Sequence, residues 1–185
     1  ALVPPRSRPS GAVVCRGGVA DYCVQSLGCT AAEASKVEGK LLPNIAESTT
    51  RAQADQLCSW LQSSLDLSDA ELKKVVMKLP SVLSLSVEDN LAPKLDWLQT
   101  RLDLDEGQLR KFVLQLPAVL SLSVEDNMAL KLDWLRTRLG LDDAQLKQMV
   151  RTHPNLLGYS VEDNLAPKLD WLQRRLDLDE AKLKR

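Results

Sequence analysis

Lys94, Trp97 and Arg101 fall at i, i+3 and i+7, and the same three residue types return as Lys131, Trp134, Arg138 and as Lys168, Trp171, Arg175. On a helix each set lies along one shoulder, so stacking the sets gives parallel ladders of cation and aromatic ring. Ammonium and guanidinium groups neutralise phosphates, and indole faces stack on bases. The nine residues are therefore the candidate contacts of a groove that tracks a nucleic-acid backbone. A second row is formed by Lys73, Arg110, Lys147 and Lys184, with Lys74, Lys111 and Arg185 beside it. The competing reading is structural. Each Trp borders an apolar stripe and fits packing between neighbouring elements, and basic residues late in a helix suit its dipole.

The ladders exist because the chain repeats itself. Trp60, Trp97, Trp134 and Trp171 keep a step of 37 residues, and Pro43, Pro80, Pro117 and Pro154 keep the same step. The phrase Ser86–Leu98 recurs almost unchanged at Ser123–Leu135 and Ser160–Leu172. A unit of this length is one supersecondary element that cannot bury its own apolar face, so copies stack into a solenoid. The copies span about 49–85, 86–122, 123–159 and 160–185 (partial), with a worn copy before 49; together they make a repeat domain over 21–185.

Within a unit, Val87, Leu91, Leu95, Leu98 and Leu102 mark one face of a first helix, helix A, opened by a capping box at Ser86 and Asp89. Pro93 and Pro167 fall inside helix A, where the middle copy has Leu130, and predict a bend or a delayed start. Leu109, Phe112, Val113 and Leu116 mark helix B, with Leu146, Met149, Val150 and His153 as counterparts. Ser68 with Glu71, Asp105 with Gln108 and Asp142 with Gln145 read as its caps. The prolines end helix B, and a short turn, 3₁₀ in character, leads to the next Ser. The fold class is all-α, a superhelix of helix–helix–3₁₀ repeats.

Composition bounds the function. The formal charge is −1, which counts against a non-specific nucleic-acid sponge. Unit 86–122 carries six acids against four bases and unit 123–159 five of each, so neither binds phosphate strongly by itself. No stretch approaches the ~20 apolar residues of a membrane span. Cys15, Cys23, Cys29 and Cys58 form no C-x-x-C pair and read as reduced structural thiols. His153 stands where other copies have Leu and reads as a repeat-face substitution. No catalytic set, phosphate loop, metal site or cofactor motif is present, and no enzyme is expected. Residues 1–20 hold Arg6, Arg8 and Arg16 and no acid, as in a disordered terminus or the end of an organellar transit peptide.

The string Pro-x-x-Leu-x-x-Ser-x-Glu, then Leu-x-Pro-Lys-Leu-x-Trp-Leu and Leu-Gly-Leu, resembles the mTERF family, the mitochondrial transcription termination factor proteins of mitochondria and chloroplasts. Pro117, Leu120, Ser123, Leu132, Leu135, Leu139-Gly140-Leu141 and Pro154 carry it best, and it extends from about residue 27 to 185. The resemblance implies a curved superhelix, organellar location (chloroplast or mitochondrion) and binding of organellar RNA or DNA in gene expression. The alternative is a scaffold subunit of a large organellar assembly, ribosomal or photosynthetic, that grips protein. Near-identical repeats favour that second reading.

Overall fold

The computed structural model describes residues 19–41 and 50–177. The expectations for most of 1–20, for Cys15 and Pro43, and for Lys184 and Arg185 lie outside the described residues. Among those described every regular element is helical, and none is a strand. The α-helices run α1 Val19–Leu27, α2 Ala31–Glu38, α3 Arg51–Leu65, α4 Asp69–Lys78, α5 Ala92–Leu102, α6 Glu106–Gln115, α7 Leu130–Leu139, α8 Asp143–Thr152 and α9 Ala166–Arg175. Single 3₁₀ turns follow at Pro80–Ser84, Pro117–Ser121 and Pro154–Gly158. Helix α1 takes in Val19 and Ala20, on the N-terminal side of the expected boundary.

Local chemistry explains the boundaries. The three helix-B starts have reciprocal capping boxes at Ser68/Glu71, Asp105/Gln108 and Asp142/Gln145, as the sequence suggests. The helix-A box is complete at Thr50/Gln53 but only half formed at Ser86, Ser123 and Ser160. Ser86 Oγ accepts from the Asp89 amide, but the Asp89 carboxylate meets the Ser86 hydroxyl and does not cap the Ser86 amide. An aspartate is one methylene shorter than the glutamate this reach requires. Leu79, Leu116 and His153 close helix B at φ near −125°, the extended-side conformation a following proline imposes. Between helices A and B the chain turns through a left-handed residue, Asp66, Asp103 or Gly140.

The α-helical part of helix A starts late in the copies with proline, at Ala92 and Ala166, but it does so at Leu130 in the copy without it. Helix A opens with one π turn, Val87–Leu91, Val124–Ala129 and Val161–Leu165, running directly into α5, α7 and α9. The copy with Leu130 has the turn too, so proline is not its cause. Helix α3 fills the span between its caps, Thr50 and Asp66, with residues 51–65; the next copy places residues 87–102 between Ser86 and Asp103, one residue more. A π turn absorbs a single inserted residue without breaking the helix. The prolines are accommodated at its junction with the α-helix, where Pro93 and Pro167 occupy the first positions.

Each helix A packs on helix B of its own unit and helix B of the next: α3 on α4 and α6, α5 on α6 and α8. The seam is one continuous apolar core. Leu95, Leu98, Leu109, Phe112, Val113 and Leu116 are all buried, as are Leu132, Leu135, Leu146 and Val150. Met149 is half-buried and His153 is exposed, a correction to the expected burial: the polar ring at the last helix-B position turns to solvent. Cys23, Cys29 and Cys58 are buried thiols that form no disulfide, and burial pushes the Cys23 thiol up to about 12. No helix among the described residues is long and apolar enough to cross a membrane.

Candidate functional site

The structure divides the expected Lys–Trp–Arg ladder. Lys94 and Lys131 are buried, only 5 % and 6 % exposed, although they are charged side chains on helix A. Lys94 Nζ donates to Asn90 Oδ1 at 2.8 Å and to the Leu120 carbonyl at 2.5 Å. Lys131 Nζ repeats the arrangement with Asn127 Oδ1 at 3.0 Å and the Leu157 carbonyl at 2.5 Å. Each lysine thus straps helix A to the end of its own unit's 3₁₀ turn, supplying a donor to a carbonyl near the end of that turn. Burial lowers the pKa of both ammonium groups, and the charge of Glu162 opposes that shift at Lys131. Neither ammonium faces a groove, which corrects the expectation that Lys94 and Lys131 meet phosphate.

The arginines are committed as well. Arg101 pairs with Asp143 at 2.8 Å, and Arg138 with Asp170 at 2.8 Å and the Gln173 amide oxygen at 2.9 Å. Trp97 and Trp134 are half-buried against the core. Only the last set is open. Lys168 and Arg175 are exposed, Trp171 is 59 % exposed, and Lys168 lies 5.3 Å from the Tyr159 ring centroid. Asn164 Oδ1, the counterpart of the strap acceptors Asn90 and Asn127, is buried without a donor there. The ladder is not brought together on one face. The signal for the strap was present as Asn90/Lys94 and Asn127/Lys131 at i, i+4.

The helix-B row clasps neighbouring units. Lys73 meets Glu33 at 2.9 Å, and Arg110 meets Glu71 at 2.6 Å and Asp66 at 3.0 Å. Glu33 and Glu71 are also capping-box residues. Lys147 has Gln108 where those units have a glutamate, and it pairs with Asp143 of its own helix at 3.0 Å. The Lys73 ammonium holds the Glu33 carboxyl down at about 2, and the Ser68 hydroxyl and amide, with Arg110, do the same for Glu71. Both are charged above the ordinary glutamate range in folded and unfolded chains alike. Their stabilising contribution is therefore full above about pH 4.5 and disappears as the pH falls toward 2. Melting temperatures should be flat above that window and fall within it, and Glu71→Gln should make the fall shallower. An equally steep fall in that variant would assign acid sensitivity to other carboxylates.

Two further cations with no acidic partner among the described residues, Lys111 and Arg151, sit along helix B. Gln108, Lys111, Gln115, Gln148, Arg151 and Thr152 line a groove of about 250 Å³ between α6 and α8. Lys111 was seen in the sequence as a neighbour of the second row. Arg151 and the amides were missed, because Arg151 replaces the apolar Leu114 of the preceding copy and breaks the repeat it would be found by.

Stacked helix pairs, prolines that end helix B and a groove along the helix-B edge define a non-β, helical-repeat protein among the described residues. A model of the mTERF family matches residues 27–181, and the chain belongs to that family. Comparison with individual curated proteins gives no match.

Proposed function

We propose that this chain is a non-enzymatic organellar protein that binds single-stranded nucleic acid along the helix-B edge. The observation that carries the reading is the α6–α8 groove, where Lys111 and Arg151 keep their charge uncommitted and the Gln115 amide and the Gln108 amide nitrogen offer hydrogen bonds. Family membership supports nucleic acid as the ligand, and the arginine-containing, acid-free run of residues 1–20 supports an organellar address. The open set Lys168, Trp171 and Arg175 extends the surface with a ring for base stacking. With so few free cations, affinity is modest and grows with the length of strand engaged.

The test is a salt series of anisotropy titrations with labelled 20-mer RNA and DNA. Each phosphate contact on a single strand contributes ~0.7 to the log–log slope, so Lys111→Ala with Arg151→Ala should flatten it by about 1.4. An unchanged slope would remove the groove from the interface.

A second reading, a scaffold subunit gripping protein in a large organellar assembly, is favoured by one observation. Tyr159, Trp171, Leu172 and Leu176 leave apolar surface open on the last described unit. Under it, the double variant leaves any nucleic-acid affinity unchanged, and Trp171→Ala weakens protein assembly instead.

A further inference from the structure

Unit 49–85 has no lysine to form a strap. The residue 37 positions before Lys94 is Leu57, buried and without a group to donate. The rest of the strap's surroundings are kept. Leu83 and Ser84 end the first 3₁₀ turn at the places of Leu120 and Ser121. Glu88 stands two repeats before Glu162, the carboxylate whose charge acts on Lys131. Where units 86–122 and 123–159 bury an ammonium, this one has an open cleft of about 430 Å³, bounded by Gln56, Leu57, Leu83, Ser84, Val87 and Glu88. That volume falls within the ~300–1,000 Å³ of ordinary small-ligand sites.

We propose that this cleft binds a primary alkylammonium group, carried by a polyamine or by a lysine side chain of a partner protein. The ammonium takes the place of Lys94 Nζ, donating to the Leu83 carbonyl and pairing with Glu88, while its methylene chain lies along Leu57 and Val87. The internal copies show the chemistry: twice in this chain a four-carbon stem with an ammonium head fills the same position. An anion is disfavoured, since the lining has a carboxylate and no basic residue. Gln53, the counterpart of Asn90, is already engaged, accepting from the Thr50 amide at 3.0 Å and hydroxyl at 2.9 Å. The guest therefore relies on the carbonyl and the carboxylate, and binding is weaker than in a closed strap.

The isotope-labelled chain is titrated with n-butylammonium and, as a neutral isostere, n-butanol, following backbone amide shifts. Saturable shifts confined to Leu57 and Leu83–Glu88 are expected with the amine and not with the alcohol. Leu57→Lys refills the strap, so it should abolish those shifts and raise the melting temperature. Glu88 is exposed, and Glu88→Gln should keep the fold while weakening amine binding about threefold, the scale of an exposed ion pair. Glu125→Gln, beside an occupied strap, should not. Tighter saturation by spermidine than by Nα-acetyl-lysine amide assigns a polyamine, and the reverse order assigns a partner's lysine. Equal shifts with butanol, or equal weakening by Glu125→Gln and Glu88→Gln, would overturn the proposal. If Leu57→Lys does not fold, the two glutamate variants decide it.

Discussion

Truncating Leu98 to alanine is expected to cost about 2–5 kcal/mol of unfolding free energy, the range for a buried leucine whose surroundings close only partly. Leu98 has no exposed surface and lies in the seam where α5 meets α6 and α8. The deleted methyl groups thus leave a void between two units rather than at the edge of one. Repeat stability is a sum of unit terms and nearest-neighbour terms, and this position contributes to the second. Urea unfolding followed by circular dichroism should show an earlier midpoint, and a broader transition if units 86–122 and 123–159 become uncoupled. A loss below ~0.5 kcal/mol would mean that the packing face has been misassigned, since even an Ile→Val trim in a core costs that much.

Lys131→Met is expected to lower stability by about 1–3 kcal/mol while leaving nucleic-acid affinity unchanged. Methionine keeps most of the stem but cannot donate, so the Leu157 carbonyl and Asn127 Oδ1 lose their donor. A buried acceptor left unsatisfied costs about 1–3 kcal/mol. The gain from no longer burying a charge offsets part of the sum over two acceptors, which keeps the total within that range. The sign on binding separates two roles for one residue. A phosphate contact would show the opposite pattern, with affinity and salt slope falling while the melting curve stays in place.

Much of the fold is legible before any coordinates. The 37-residue step, the apolar i, i+3, i+4, i+7 spacing and the Ser/Asp caps fix where helices A and B run, because each depends on chemistry within a few residues. Proline after Leu79, Leu116 and His153 marks the helix-B ends for the same reason. The π turn is not legible, since one extra residue between two caps leaves the apolar pattern readable as an ordinary helix. The site is legible only in part. Helical phase puts Lys94, Trp97 and Arg101 on one shoulder, but says nothing about what the 3₁₀ turn 26 residues on, or the next unit, lays against it. Lys168, the same residue in the same phrase, is exposed where Lys94 is buried.

The lysine strap has both ends inside one unit, whereas the pairs Arg110–Glu71, Arg101–Asp143 and Arg138–Asp170 join a unit to the one beside it. A duplicated segment of 37 residues therefore arrives with its internal fastening complete, needing from its new neighbour only an apolar seam and a surface charge of opposite sign. Array length becomes an easily varied quantity, set by counting copies rather than by redesigning a core. The surface such a protein presents to a long ligand can then grow or shrink in whole steps while the geometry of each step stays the same.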